Sequence, residues 1–267
     1  MVYQTGGWGR KGIKFFSGRD AQFGRLFLFG PVSVFPENMW ISPENYDSLM
    51  PTEAVALQKE LRHQVQLMPL EKPIHTIGGA DISFNKYSET VYAGIVVLSY
   101  PQMQVLHREY VVATAKFPYV PGLLSFREVP AVLQVWEKLS HKPDVLVLDG
   151  HGQAHPRRLG IASHFGVVAG VPTLGCGKSI LVGKHDPLPE DAGATVPLVH
   201  LGEVVGTVLR TKARVNPVYV SAGNLLTLED AVGIVRHCVG KYRIPEPTRQ
   251  AHLWVNEVRL QHGGKNG

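Results

Sequence analysis

The chain has 267 residues, of which 44% are hydrophobic and 18% are charged, and its formal net charge is +5. This composition is typical of a soluble globular protein with one sizeable core, and no apolar run approaches the roughly 18 residues of a membrane span, which excludes a transmembrane protein. The two cysteines, Cys176 and Cys238, lie among apolar residues and glycines, so we expect a reduced, cytoplasmic protein without a disulfide framework.

Residues 1–40 differ from the rest of the chain. They hold nine of the 23 aromatic residues and seven of the 28 glycines, but they show neither a helical nor a strand period. We therefore predict that residues 1–50 form an extension outside the catalytic domain, with Met50 as an alternative start of the protein. A single catalytic domain is predicted over residues 51–267.

The pattern becomes regular after Pro51. An apolar stripe predicts a helix that begins at a Thr52 cap and runs to about Met68. Three strand-like runs follow, at Thr76–Phe84, Val91–Tyr100 and Val105–Ala113. The turn between the last two runs is short, which favours an antiparallel meander.

The second half of the chain alternates helices and strands. The predicted elements are a helix at Ala131–Ser140, a strand within Asp144–Asp149, a helix at Ile161–Val168, strands near Pro172–Cys176, Val204–Leu209 and Pro217–Ser221, a helix at Leu228–Val239 and a last helix from Glu246. The Val145–Leu148 run is apolar without alternation, as in strands covered on both faces. The order predicts an α/β fold with a mixed sheet flanked by helices, of which the ribonuclease H-like arrangement is one example.

Two acids adjoin strands that are expected to be buried. Asp81 lies within Thr76–Phe84, and Asp149 directly follows Val145–Leu148. A carboxylate beside an apolar strand is costly unless it is paired or binds a metal ion. Two carboxylates on adjacent strands repel each other, and a hard divalent cation relieves that repulsion. The alternative for Asp149 is a turn or cap residue before Gly150.

Glu128 has two interpretations. The run Ser125–Glu128 matches a helix capping box, in which the glutamate only satisfies the start of a helix. Pro130 would then be the fifth residue of that helix, where its missing N–H forfeits a hydrogen bond. A role for Glu128 in the functional site is therefore the alternative.

The segment Asp149–Gly160 combines an acid with glycines, histidines and arginines. Glycines permit the backbone to approach a ligand closely, and His155, Arg157 and Arg158 are able to bond phosphate. The alternative is a solvated arginine pair beside a histidine with ordinary loop partners. We favour a functional loop because binding residues concentrate in loops of this kind.

Phe117–Gly122 places Tyr119 between two prolines, which predicts a stiff loop. An apolar wedge of this kind can enter a base step and unstack it, whereas packing on the core is the simpler alternative. Lys178 follows a Gly-Cys-Gly run and could reach a phosphate. The run lacks the full pattern of a nucleotide-binding phosphate loop, so nucleotide binding is not predicted.

Five segments of the chain together resemble the endonuclease V family. They are Gly79–Asp81, Pro118–Glu128, Asp149–Gly160, Ala162–Gly166 and Tyr242–Arg249, and the resemblance extends from about Thr52 to Leu260. One departure is visible, because this chain has Gly223-Asn224-Leu225 where many members have Gly-His-Arg. We expect Asn224 to alter a peripheral contact, since His252 occupies the metal-site position.

The resemblance implies a ribonuclease H-like fold and dependence on Mg²⁺, with Mn²⁺ as a substitute. It implies cleavage of the second phosphodiester bond on the 3′ side of deoxyinosine, which leaves 3′-hydroxyl and 5′-phosphate ends. Metal ions polarise the phosphate and generate hydroxide, so such an enzyme needs no protein nucleophile. The implied partner is DNA containing deoxyinosine, single- or double-stranded, with inosine-containing RNA as an alternative, and we expect a monomer without membrane attachment.

The resemblance also assigns residues by matching position. Asp81 and Asp149 would ligate the metal, Glu128 and His252 would complete the site directly or through water, and Lys178 would join these four as a catalytic residue. Pro118, Tyr119, Val120 and Pro121, hereafter the wedge loop, would separate the strands. The implied pocket for a flipped hypoxanthine consists of backbone groups around Gly122, Leu124, Gly150, Gly160 and Ile161. The implied DNA contacts are His155, Arg157 and Lys178.

Two other interpretations are compatible with parts of this pattern. A resolvase- or transposase-like core would share the cluster of acids, but it would not need the wedge loop or the Gly150–Gly160 loop. A lesion-binding protein without catalysis would have no use for adjacent like charges, which cost stability. Nicking of a deoxyinosine duplex with and without Mg²⁺ separates these interpretations.

Overall fold

A computed structural model describes residues 43–85 and 88–263 of the chain. Within them, eight strands form one mixed sheet in the order β3-β2-β1-β4-β5-β8-β7-β6. The strands are β1 (Thr76–Phe84), β2 (Thr90–Ser99), β3 (Val105–Thr114), β4 (Val145–Leu148), β5 (Thr173–Gly177), β6 (Thr195–His200), β7 (Glu203–Leu209) and β8 (Val218–Asn224). The strand β4 runs parallel to β1 and β5, and the other neighbours are antiparallel. The predicted meander and mixed sheet are confirmed.

Six α-helices are described: α1 (Pro43–Asp47), α2 (Pro51–Leu61), α3 (Leu124–Lys138), α4 (Ile161–Ala169), α5 (Leu228–Cys238) and α6 (Glu246–Gly263). The sheet is covered on both faces, as the unalternating β4 predicts. Leu146 and Leu148 of β4 join a core with α2, α3 and α4. Val145 and Val147 point the other way, into a core with α5 and α6. This arrangement is the expected ribonuclease H-like α/β fold.

The helix α2 ends earlier than predicted and has a different cap. Met50 is its N-cap rather than Thr52, and the Glu53 carboxylate accepts a hydrogen bond of 2.8 Å from the Met50 N–H. After Leu61 the chain makes one 3-10 turn and then extends. Gln66 explains the extension, because its N–H donates to Asn224 Oδ1 and its carbonyl accepts from the Leu225 N–H, at 2.9 and 2.7 Å.

The helix α3 begins seven residues before its predicted start. Its N-cap is Leu123, and no side chain caps it, so the capping-box interpretation of Ser125 and Glu128 is wrong. Pro130 lies inside the helix and is buried. The helix tolerates the lost hydrogen bond because its apolar face, which includes Phe126 and Val129, is fully buried in the core.

Residues just before the predicted boundary at Pro51 also pack on the core. Tyr46 of α1 is only 1% exposed and contacts the rings of Phe126 and His164. The prediction that residues 1–50 form an extension outside the catalytic domain stays a prediction, since residues 1–42 are outside the described part of the chain, but Tyr46 does not fit it. Both cysteines are free and buried. No helix among the described residues is long and apolar enough to cross a membrane.

Candidate active site

The parallel pairing of β1 with β4 brings Asp81 and Asp149 together. Ala80 pairs with Leu148, so the two acids follow this pair on neighbouring strands, and the Asp149 N–H donates to the Ala80 carbonyl at 3.2 Å. Their side chains are only 12% and 13% exposed. Two largely buried carboxylates therefore lie side by side at the carboxyl end of β4.

His252 reaches this site from α6. Its Nδ1 lies 2.7 Å from Asp81 Oδ2, while its Nε2 faces the Asn256 amide at 3.2 Å. The close approach of α6 depends on Gly79, because a Cβ there would lie 1.9 Å from the Pro247 carbonyl oxygen. Ligand atoms of Asp81, Asp149 and His252 all lie within 4.8 Å of one another, as a metal site requires.

Glu128 faces the same two acids from the second turn of α3. Burial, followed by repulsion from Asp81 and Asp149, raises the pKa of Glu128 from 4.5 to about 8. Burial, followed by repulsion from Asp149, raises the pKa of Asp81 to about 6, although hydrogen bonds from His252 and the Ile82 N–H lower it. We call Asp81, Glu128 and Asp149 the acidic centre. Its hard oxygen ligands and mutual repulsion fit a divalent cation such as Mg²⁺.

Lys178 extends from the end of β5 to the acidic centre. Its ammonium group forms an ion pair with Asp149 Oδ2, and its side chain is 40% exposed. The lysine backbone is fixed from behind, since Arg243 Nη2 donates to the Lys178 carbonyl and to the Pro217 carbonyl, both at 2.8 Å. The structure therefore places the predicted catalytic lysine beside the predicted metal ligands.

A cavity of about 400 Å³ opens beside the acidic centre. Glu128, Asp149 and Lys178 lie in its wall. The five residues predicted to surround a flipped base also line it: Gly122, Leu124, Gly150, Gly160 and Ile161. Tyr119, Val120 and Pro121 of the wedge loop close one side, while Pro118 is exposed and does not line the cavity. One continuous site thus contains the acids, the cavity and the wedge loop.

His155 and Arg157, the two other predicted DNA contacts, are less available to a phosphate than Lys178. His155 is 4% exposed, and burial, followed by the charge of Arg157, lowers its pKa to about 4, so the ring is neutral at physiological pH. The Arg157 side chain turns towards the protein, where Nη2 donates to the Gly122 carbonyl at 2.6 Å and Nε donates to Gln58 Oε1. The loop Asp149–Gly160 therefore does not present both side chains freely to a phosphate.

Sequence reasoning did not single out several residues of this site. Ser125, His151 and the exposed Ile180 and Leu181 line the cavity. His151 Nε2 lies 3.1 Å from the Ser179 carbonyl, and burial lowers its pKa. A signal for His151 was present, because it stands between two glycines directly after Asp149. Residues 180 and 181 belong to no periodic pattern or motif that would distinguish them from apolar residues of the core.

Asn224, the departure from the family pattern, lies outside the acidic centre. Its side chain is 4% exposed, and its Nδ2 donates to the Gly166 carbonyl at 2.9 Å while its Oδ1 accepts from the Gln66 N–H. Both ends of the amide are used in joining α4, β8 and the segment after α2. The residue is a buried structural link and not a member of the group that surrounds Asp81.

Sequence comparison relates most of the chain to one family. A family model described as Endonuclease V matches residues 59–253. The endonuclease V of Myxococcus xanthus is 50% identical over 214 residues, which cover 80% of this chain and 91% of that protein. Every residue of the acidic centre, Lys178 and His252 lies inside the matched range.

Solved structures share the fold. The endonuclease V of Streptomyces avermitilis is 37% identical with a TM-score of 0.77, over 80% of this chain and 95% of that one. The Ciona intestinalis endonuclease V, in complex with a 24mer DNA containing an inosine followed by a ribo-adenosine, is 30% identical with a TM-score of 0.70, over 79% and 98%. The mixed sheet and its helices are thus common to these proteins.

Proposed function

This chain belongs to the endonuclease V family and is a nuclease, and we propose that it cleaves DNA at the second phosphodiester bond 3′ to deoxyinosine, leaving 3′-hydroxyl and 5′-phosphate ends. One observation carries the proposal. The cavity that would receive the base shares Glu128, Asp149 and Lys178 with the acidic centre. A base held in this cavity would keep its own strand against the groups that act on the phosphate.

We propose that Asp81 and Asp149 ligate a Mg²⁺ ion, with Mn²⁺ as a substitute, and that Glu128 and His252 complete the site directly or through water. The carboxylates support this, since burial and then mutual repulsion raise the pKa of Asp81 and Glu128, and a divalent cation offsets both costs. Such an ion would polarise the scissile phosphate and supply hydroxide at neutral pH. The Asp81 carboxylate would keep His252 oriented through their 2.7 Å contact.

The remaining charged residue of the site is assigned to the phosphate. Lys178 pairs with Asp149 and is exposed enough to contact a DNA phosphate near the cut. Arg243 holds the Lys178 carbonyl, so the backbone from which the ammonium group extends is fixed. His155, being buried and neutral, would contribute a hydrogen bond to the nucleotide rather than an ion pair. These groups would orient the phosphate without a covalent intermediate.

Recognition of the base would rest on the cavity and the wedge loop. The cavity has a volume of about 400 Å³, within the range of small-molecule sites, which spans roughly 300–1,000 Å³. Backbone groups around Gly122, Leu124, Gly150, Gly160 and Ile161 would contact a flipped hypoxanthine. Tyr119, which is 67% exposed, would fill the stack that the base leaves. The inosine-containing DNA bound by the Ciona protein supports this choice of substrate.

Inosine-containing RNA is the alternative substrate, and both single- and double-stranded DNA are proposed to be cut. We propose that the protein acts as a monomer. A reducing, cytoplasmic setting is supported by two buried cysteines that form no disulfide.

Nicking of an end-labelled deoxyinosine duplex tests the proposal directly. The matched control is the same duplex with deoxyadenosine at that position, and each is assayed with Mg²⁺, with Mn²⁺ and with a chelator. We expect one metal-dependent product, cut one nucleotide beyond the bond adjacent to the lesion. Cutting of both duplexes alike would favour a resolvase-like nuclease, and binding without cutting would favour a lesion-binding protein.

A further inference from the structure

The wedge loop projects from the surface but is fixed to buried residues at both ends. Tyr119 is 67% exposed, whereas Phe117 before the loop and Leu123 after it are each 1% exposed. The two prolines of the loop have no N–H, which limits its own backbone hydrogen bonds. One such bond joins the Leu123 N–H to the Val120 carbonyl at 2.9 Å. The residues on either side of the loop are instead held by side chains from elsewhere in the chain, which bind the carbonyls of Phe117 and Gly122.

Arg127 of α3 holds the start of the loop. Its Nη1 donates to the carbonyls of Ala115 and Phe117, both at 2.7 Å, and its Nη2 donates to the Ser88 carbonyl at 3.0 Å. A planar guanidinium with several fixed donors can hold three carbonyls in one geometry, which a lysine ammonium cannot reproduce. The arginine thus ties the loop to β3 and to the segment before β2.

Arg157 and Gln58 hold the end of the loop. Arg157 Nη2 and Gln58 Nε2 both donate to the Gly122 carbonyl, at 2.6 and 3.1 Å, and Arg157 Nε also donates to Gln58 Oε1. Gln58 is fully buried and donates in addition to the Leu159 carbonyl at 2.9 Å. Gly122 has a φ of +80°, a conformation that favours glycine, and a Cβ there would lie 2.8 Å from Arg157 Nη2 and displace it.

We propose that Arg127, Arg157 and Gln58 are positioning residues, which clamp both ends of the wedge loop so that Tyr119 can separate stacked bases. The inference rests on the proposed function. It competes with the expected phosphate contact of Arg157, because the Nε and Nη2 groups of the guanidinium already donate to Gln58 and Gly122. A loosely held loop would yield to the stacked duplex instead of opening it, while a single strand offers no stack to open.

The sharpest test is Arg157→Lys, which keeps the positive charge but removes the planar set of donors. Single-turnover nicking is measured on duplex and single-stranded deoxyinosine DNA, alone and in a Tyr119→Ala background. We expect a loss of about tenfold or more on the duplex and less than about threefold on the single strand. In the Tyr119→Ala background the extra duplex loss disappears, because the clamp acts only through the tyrosine.

The control is Arg210→Lys, since Arg210 also holds backbone carbonyls, those of Leu188, Pro189 and Val215, but away from the wedge loop. It should leave the ratio of duplex to single-strand nicking unchanged. Arg127→Lys tests the other end of the loop and should reproduce the Arg157→Lys pattern. Thermal melting of each variant establishes that the assayed protein is folded.

The outcomes separate the clamp from a phosphate contact. If Arg157 binds phosphate, Arg157→Lys retains duplex nicking, and Arg157→Gln lowers the salt slope of DNA binding by about 1. That result overturns the clamp, as does an equal loss on both substrates or an additive loss with Tyr119→Ala. Normal single-strand nicking by the variant shows that the proposed function holds, and absence of nicking by the wild-type protein shows that the proposed function itself fails.

Discussion

The acidic centre and the wedge loop are stabilised in opposite ways. In the acidic centre, three carboxylates lie together, and burial, followed by repulsion between the acids, raises the pKa of Asp81 and Glu128. Beside the wedge loop, two arginines, Arg127 and Arg157, donate to backbone carbonyls and to the Gln58 side chain. The acidic centre places like charges together, whereas the arginines that hold the ends of the wedge loop bind neutral partners.

Because of this difference, substitutions in the two regions should have separate effects, on cleavage in the acidic centre and on duplex opening at the wedge loop. Removing a charge from the acidic centre should destroy cleavage while leaving the metal-free fold intact or more stable, because repulsion is relieved. Removing a group from the wedge loop should weaken duplex opening without touching the chemistry. Four predictions, from the largest expected effect to the smallest, test how far the functions of the two regions are independent of each other.

Asp149→Asn should have the largest effect. Nicking is expected to fall by about 100-fold or more, because the proposed metal site would lose a carboxylate ligand. DNA affinity should survive, since base recognition is proposed to lie in the cavity and the wedge loop. The melting temperature in metal-free buffer should hold or rise, as relief of repulsion on Asp81 and Glu128 offsets the lost ion pair with Lys178.

The control is Glu190→Gln, an exposed acid outside the acidic centre, which should change none of these quantities. If Asp149 were only a turn or cap residue, the substitution would leave nicking near normal and cost about 0.5–2 kcal/mol of stability. That pattern would contradict its assignment as a metal ligand.

Glu128→Gln should change the pH dependence of stability as well as lower nicking. The pKa of Glu128 is raised to about 8 in the fold, so the unfolded chain releases this proton before the folded chain does as the pH rises. The wild-type protein should therefore lose stability relative to Glu128→Gln between about pH 5 and pH 8 in metal-free buffer. Added Mg²⁺ should reduce the difference.

Thermal melting at pH 5, 6.5 and 8 measures this effect, with Glu137→Gln as the matched control on the exposed side of α3. The control should follow the wild-type curve. A stability difference between the wild type and Glu128→Gln that is constant with pH, or that shifts in favour of the wild type towards pH 8, would show that the Glu128 carboxyl is not held near the other two acids.

Tyr119→Ala should have a smaller effect, confined to the duplex. Nicking of duplex deoxyinosine DNA is expected to fall about tenfold, because unstacking costs a few kcal/mol only where a stack exists. Melting should not change, since the side chain is 67% exposed. Tyr119→Phe keeps the ring and should behave as the wild type, and equal losses of Tyr119→Ala on duplex and single strand would argue against a wedge.

Truncation should have the smallest effect on cleavage. Deletion of residues 1–42 is expected to leave both nicking and melting temperature unchanged. Deletion of residues 1–49 also removes Tyr46, whose ring is buried against Phe126 and whose hydroxyl lies 3.1 Å from His164 Nε2. Loss of a buried aromatic ring costs about 3–5 kcal/mol, so this protein should melt at a lower temperature while retaining activity when folded.

Tyr46→Phe isolates the hydroxyl and should cost about 1 kcal/mol. Circular dichroism melting of the two truncations and of this variant is sufficient. If deletion of residues 1–42 abolished nicking in a folded protein, the extension would belong to the functional unit after all.

Much of the sheet and of the acidic centre was predictable from the sequence, because the patterns that indicate them lie within short, continuous segments. Alternating or unbroken apolar runs predicted β1 to β5 within one or two residues. Asp81 and Asp149 were recognisable as charges beside such runs, and the wedge loop as an aromatic between prolines. The strand β6 was missed because it contains Pro197 and buries only Leu198 completely, as expected of an edge strand.

The tertiary structure alone decided the contacts between residues that are far apart in the chain. The pairing of His252 with Asp81 spans 171 positions, and no local pattern in either segment contains it. The end of α2 depends on Asn224, and the burial of Tyr46 depends on α3 and α4. The orientation of Arg157 depends on Gln58, which is 99 positions away. Sequence alone determines which side chains carry charge, but only the fold determines whether such a charge meets solvent, a carbonyl or another charge.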